Sequence, residues 1–196
     1  VARSIYDRLL LCAEGAALGT ETELEVEFLG GIYNVLPNNA LSAVTLRNLR
    51  ALEPIIYTPE EEAWALELQK TLANPVPLTS LSKVQDRSGS VSRGSTDVGD
   101  VSWVVPTTGF RTATWVPGTP AHSWQATAAG GTTIGRKGMM LAARALAAIA
   151  WDLYGDPAVL RKAREELKAK TADNPYAPIL EAGQAPPLDY RDPARR

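Results

Sequence analysis

One cysteine and one histidine, Cys12 and His122, among 196 residues exclude more chemistry than any other feature of this sequence. A single cysteine cannot form an internal disulfide or build a zinc site from several thiolates. A single histidine excludes a metal site with two or more imidazoles unless other chains contribute to it. Long apolar runs are also missing. The longest candidate, Met139 to Leu153, is interrupted by Arg144 and Asp152, so no membrane-spanning segment is expected. Neither sign of charge dominates. A net charge of −2 with a pI near 5.5 argues against broad attraction to nucleic acid or to an anionic membrane. The opening residues, Val1-Ala-Arg-Ser-Ile-Tyr-Asp-Arg, contain no Met and no apolar core of signal-peptide length. The expectation is a soluble, cytoplasmic chain, processed or cut from a longer one.

What is present describes a folded globular protein, with 45% hydrophobic and 21% charged residues. Ile5, Leu9, Cys12 or Ala13, and Ala16 recur at helical spacing, with Gly19 placed to end the helix. Cys12 on that apolar face is expected to be inert core. From Glu21 to Leu29, Leu24, Val26 and Phe28 alternate with Glu23, Glu25 and Glu27. That period predicts a strand with one buried and one solvated face. Helices are predicted over 40–52 and from Pro59 to about Leu72. The latter begins with Thr58 as N-cap, proline at the first position and Glu61 three residues after the cap. Val76 to Gly99 reads as a long connection. The β-branched runs Val101–Val105 and Thr112–Val116 read as strands covered on both faces. A long alanine-rich helix follows, from about Thr133 to Tyr154, its alanines suited to close packing against a sheet. A further helix runs from Asp156-Pro157 to about Lys170. Pro175, Pro178, Pro186, Pro187 and Pro193 mark an extended tail.

Three stretches depart from what packing alone requires. Asp97 and Asp100 stand three residues apart before a predicted strand; a turn with Asp97 capping amides and Asp100 solvated is the favoured reading. His122 lies in Gly118-Thr-Pro-Ala-His-Ser-Trp-Gln125, after a predicted buried strand, where α/β proteins place functional groups. Residue chemistry alone favours a packed imidazole over a metal ligand. Gly130 and Gly131 precede a helix N-terminus, whose free N–H groups suit a carboxylate, although a plain tight turn explains them as well. Arg111 is a further candidate for a carboxylate partner. No nucleophilic serine motif occurs, and no catalytic residue is assigned in this chain.

Ser95-Thr-Asp-Val-Gly-Asp-Val-Ser-Trp-Val-Val-Pro106, Gly118 to Gln125 and Gly135-Arg-Lys-Gly-Met-Met140 together resemble the carboxy-terminal part of dinuclear-metal amidohydrolases. This family contains acetylornithine deacetylase, aminoacylase and the indole-acetyl-amino-acid hydrolases, and its p-aminobenzoyl-glutamate branch is the most similar. Ala13-Glu-Gly-Ala-Ala-Leu18, Glu25-Val-Glu-Phe28 and Tyr33-Asn-Val-Leu-Pro-Asn38 are similar to the end of that family's inserted dimerisation domain.

The resemblance implies an α/β fold: the C-terminal half of a catalytic domain made of a sheet with flanking helices, preceded by the end of an α+β lid. Residues 1–37 would close the lid, 38–170 would return to the catalytic domain, and 171–196 would form the tail. It implies two divalent metal ions, zinc or manganese, in the complete enzyme, with water activated for attack on the amide of an N-acyl or N-aroyl amino acid. His122 matches the family's carboxy-terminal ligand, which reverses the ordering that residue chemistry gave. Asn34, Arg111, Gly130 and Gly131 are assigned to substrate, the last three from their chemistry. Most ligands and the general base of this family lie before the lid, so the chain is expected to be inactive alone. Its expected partners are a small N-acyl amino acid or dipeptide-like substrate, a second copy through the lid, and a companion chain. The alternative is a noncatalytic interaction or dimerisation module.

Overall fold

The computed structural model describes residues 2–91, 94–180, 183–186, 188 and 191. Val1, Pro187 and Pro193 lie outside the described residues. The chain divides into two compact units, Val1–Gly31 with Pro178–Arg196, and Ile32–Ala177. No helix among the described residues is long and apolar enough to cross a membrane.

The first unit contains helix α1, Ala2–Thr20. It buries none of its residues; Ile5, Leu9, Leu11 and Leu18 are exposed, and so is Cys12. The expectation of a buried, inert Cys12 is therefore corrected. Tyr6 meets Phe28 edge-on at 5.8 Å between ring centroids, and the Gln184 side-chain amide donates to the Phe28 carbonyl at 2.9 Å.

The second unit is built from helices. These are α2 (Asn39–Ala51), α3 (Pro59–Gln69), a 3-10 turn at Leu78–Ser82, α4 (Val98–Val104), α5 (Trp124–Gly130), α6 (Thr133–Gly155) and α7 (Pro157–Thr171). Caps set several boundaries. Thr58 accepts from the Glu61 N–H, and Glu61 accepts from the Thr58 N–H, a complete capping box. The side chains of Asn38 and Asp156 cap the N-termini of α2 and α7. Helix α6 packs against α2, α5 and α7.

One core cluster joins Ile55, Tyr57, Ala65, Leu68, Val116, Ala129 and Ile134. Leu41, Val44, Ala145, Ile149 and Ala163 are buried where α2, α6 and α7 meet. The N-terminus of α2 is held by α7. Glu166 accepts from the Asn39 and Ala40 N–H groups at 2.8 and 3.0 Å, and the Asn38 amide donates to the Ala163 carbonyl at 2.9 Å. Burial alone would raise the Glu166 carboxyl, but Lys170 and these two amides together hold it below its ordinary value.

No strand occurs among the described residues, so the α/β assignment is overturned, and with it the sheet expected against the alanine-rich helix. Each predicted strand fails for a separate reason. The alternation at 21–29 specifies two faces but no partner. A lone strand leaves its N–H and C=O groups unpaired, and Leu24, Val26 and Leu29 stay exposed. The run at 101–105 is mostly helical. Propensity is a weak preference, and in α4 the spacing of Gly99, Ser102 and Trp103 places all three on one helix face, from which they hold another segment. In 112–116 the Thr114 N–H bonds back to the Thr112 carbonyl at 2.9 Å, a tight turn that breaks an extended run.

Candidate functional site

His122 sits in a turn that the sequence ties down at both ends. Gly118 adopts φ +92°, and a Cβ there would meet the Asn74 carbonyl oxygen at 2.7 Å, so glycine is required at this close approach. The Gln69 amide, at the end of α3, donates to the carbonyls of Val76 and Pro117 at 2.6 and 3.1 Å. Beyond the turn, Ser123 caps α5 by accepting from the Ala126 N–H, and donates to the Pro120 carbonyl at 2.8 Å. The Gln125 amide reaches the Thr71 hydroxyl at 3.3 Å.

Between these anchors His122 itself adopts φ +58°. A non-glycine residue there costs on the order of 1–2 kcal/mol, and strain of this kind gathers at functional sites. The imidazole is exposed and lines an open cleft of about 430 Å³ together with Trp115, Ser123, Trp124, Ala126 and Thr127. Trp115 packs against the core cluster, whereas Trp124 is 62% exposed.

The other predicted residues are not among those lining this cleft. Arg111 is exposed in the irregular segment before Thr112. Gly130 ends α5 and Gly131 follows it as the cap, both in the turn leading to α6. Asn34 donates its side-chain amide to the Val35 carbonyl at 3.2 Å.

Helix α4 fixes the segment around Asn34. Asp100 accepts from the Tyr33 N–H at 3.2 Å and from the Tyr176 hydroxyl at 3.0 Å. Ser102 accepts from the Leu36 N–H at 2.7 Å, and the Trp103 indole donates to the Asn34 carbonyl at 2.9 Å. A Cβ on Gly99 would fall 1.8 Å from the Tyr33 carbonyl oxygen. Asp100 is thus a bonded clamp rather than a solvated turn residue. Asp97, the expected cap, makes no side-chain capping bond. The Asp100 hydrogen bond, followed by burial and charge, raises the Tyr176 hydroxyl above its ordinary value.

Near the core, Lys137 of α6 donates to Glu61 and to the Ile56 carbonyl. Burial would raise the Glu61 carboxyl, but hydrogen bonds from Lys137, Thr133 and Thr58, and then the Lys137 charge, hold it below its usual range. Burial, followed by the Glu61 charge, pushes the neighbouring Tyr57 hydroxyl up to about 12.

The donor set is short for a metal. Among the described residues, no three His, Cys, Asp or Glu side chains gather where an ion could sit. Zinc centres use at least three protein ligands. These residues alone do not fit the two ions that the resemblance implies, and no chemical step through a metal follows from them. Trp115 and Trp124 escaped the sequence reading as site residues. The signal for Trp124 was its place two positions after His122; Trp115 gave none, because it stood inside a predicted buried strand.

Among known proteins, the chain is similar to the B subunit of p-aminobenzoyl-glutamate hydrolase from Escherichia coli (strain K12), 33% identical over 198 aligned positions. The match takes in 88% of this chain and 41% of the relative, so the chain spans about two fifths of the protein it resembles. No family model matches the sequence, and no solved structure matches it.

Proposed function

We propose that this chain is the C-terminal segment of a metal-dependent hydrolase that cleaves the amide bond of N-aroyl or N-acyl amino acids, with p-aminobenzoyl-glutamate as the model substrate. The observation that carries the reading is His122, strained and exposed on a turn anchored at both ends, in a chain one-third identical to a hydrolase component. A neutral imidazole in that position suits one ligand of a zinc or manganese centre. The remaining ligands and the base come from polypeptide beyond these residues, and the chain is inactive alone. Asn34, Arg111, Gly130 and Gly131 are proposed for the substrate side, the charged and backbone donors among them serving its carboxylate.

The surface of α6 supports a companion segment. Met139, Met140, Leu146, Trp151 and Tyr154 are all exposed, Trp151 by 82% and Tyr154 by 89%. They lie along one broad side of the helix with Ala143, Ala147 and Ala150 between them. Contiguous apolar patches of this kind mark interaction sites. The exposed apolar residues of α1 support pairing with a second copy in the same way, and the location we propose is cytoplasmic. The same patches favour the second reading, a noncatalytic interaction module.

A chimera decides between them. The chain is joined to the portion of the Escherichia coli relative that the match leaves uncovered, and p-aminobenzoate release from p-aminobenzoyl-glutamate is followed with zinc or manganese present. Metal-dependent release by the chimera and none by the chain alone is expected. A folded, metal-loaded chimera without hydrolysis would favour the interaction module.

A further inference from the structure

We infer that Trp115 and Trp124 form the aryl subsite of the His122 cleft, the place where a planar aromatic group of the substrate is held. This rests on the hydrolase reading and deepens it. Two indoles and an imidazole line the same cleft of about 430 Å³, and among the described residues no carboxylate, lysine or arginine lines it. Its size falls within the roughly 300–1,000 Å³ of small-molecule sites, which are mostly apolar with a few placed polar groups.

The two indoles are supported differently. Trp115 packs against the buried cluster of Ile55, Tyr57 and Val116, which fixes one wall. Trp124, at the first position of α5, is 62% exposed, so a ligand would cover surface that the fold leaves wet. The hydroxyl of Ser123 is engaged with the Pro120 carbonyl and the Ala126 N–H, and Thr127 is directed to the Ser123 carbonyl at 3.5 Å. With those hydroxyls engaged, what the cleft offers an incoming group besides the His122 imidazole is the aromatic surface of the two indoles. Offset-stacked or edge-to-face geometry with an indole favours a flat aromatic ring such as an aminobenzoyl group over an acetyl group of no π-surface. Specificity for aroyl over simple acyl substrates is then a property of this segment.

The test uses the whole chain and indole N–H resonances, one from each of Trp64, Trp103, Trp115, Trp124 and Trp151. p-Aminobenzoyl-glutamate and p-aminobenzoate are titrated in turn, with N-acetylglutamate as the non-aromatic probe. The Trp115 and Trp124 signals are expected to move with both aryl compounds and to stay fixed with N-acetylglutamate. Trp124→Ala should weaken aryl binding about five- to tenfold, and Trp64→Ala, outside the cleft lining, should leave it unchanged. Equal shifts with all three probes, no shift with any, or unaltered binding by Trp124→Ala would each overturn the subsite. Trp115 is packed into the core, so its role is read from its resonance in the unsubstituted chain. Metal binding and hydrolysis by the chimera are scored separately. Aryl-specific shifts with no hydrolysis would sink the hydrolase reading and leave the subsite standing; hydrolysis indifferent to Trp124 would do the reverse.

Discussion

Substituting Gly138 by alanine sets two effects of known sign against each other. In the middle of a helix, alanine is better than glycine by about 1 kcal/mol. Gly138 lies well inside α6, so propensity alone predicts stabilisation. The structure predicts the opposite. A Cβ on Gly138 would lie 2.4 Å from the Ala113 carbonyl oxygen and 2.7 Å from the Ala113 carbonyl carbon and the Thr114 nitrogen. All three are backbone atoms, so no side chain can swing aside. Ordinary contact begins at 3.4 Å, which requires α6 and segment 113–114 to part by about 1 Å. Overpacking costs about 1–3 kcal/mol, occasionally more, and a rigid backbone neighbour belongs at the upper end. The net expectation is a loss of roughly 1–2 kcal/mol, or a Tm lower by about 3–8 °C for a unit of this size. Urea unfolding followed by far-ultraviolet circular dichroism measures it, and the Trp115 indole resonance should move as well. Gly15→Ala in α1 is the internal control. No described atom lies within 4 Å of a Cβ there, so the propensity gain is unopposed and the helicity of α1 should rise. A Gly138→Ala chain as stable as the parent, or more so, would refute the close approach.

Two further expectations concern the cluster behind Trp115. Lys137→Met leaves the buried Glu61 carboxylate without its cation. Breaking a fully buried pair costs about 3–5 kcal/mol; with the Lys137 side chain 34% exposed the loss at pH 7 should be about 1–3 kcal/mol. Because the fold holds the Glu61 carboxyl below its ordinary 4.5, that stability exists above pH 4.5 and disappears as pH falls through the folded value. The difference between variant and parent should therefore shrink as pH falls below 4.5, and a difference that stays undiminished down to acid unfolding would contradict the pairing. The buried Tyr57 hydroxyl has no hydrogen-bond partner among the described residues, so Tyr57→Phe should be neutral or stabilising by up to about 1 kcal/mol. Its pKa rises from 10.0 to about 12 in the fold, so the parent should lose stability between those values as the unfolded chain ionises first. Parallel alkaline unfolding curves for parent and Tyr57→Phe would be the contrary result.

The helices were legible because their signals are local. Thr58, Pro59 and Glu61 specify a start within four residues, and the structure contains that capping box. Asp156-Pro157 does the same for α7. The strands were misread because a strand is not a local object. Val101 to Val105 is rich in β-branched residues, yet what decides its conformation is the contact of Gly99, Asp100, Ser102 and Trp103 with residues 33–36, far away along the chain. Glu21 to Leu29 shows a clean alternation, and no described segment pairs with it. The site divides in the same way. His122 was identified through resemblance rather than residue chemistry, and the structure adds its left-handed backbone and anchored turn. Trp115 stayed hidden because an aromatic in an apolar run reads as core, and core packing is what one of its sides does.

We propose His122 as a metal ligand of an amide-cleaving centre that this chain completes. Metal content and p-aminobenzoate release, measured on the active chimera with and without His122→Ala, test it most directly. The variant should lose bound metal and hydrolysis together while its urea midpoint stays close to that of the parent. A variant that keeps both its metal and its hydrolytic rate would contradict it.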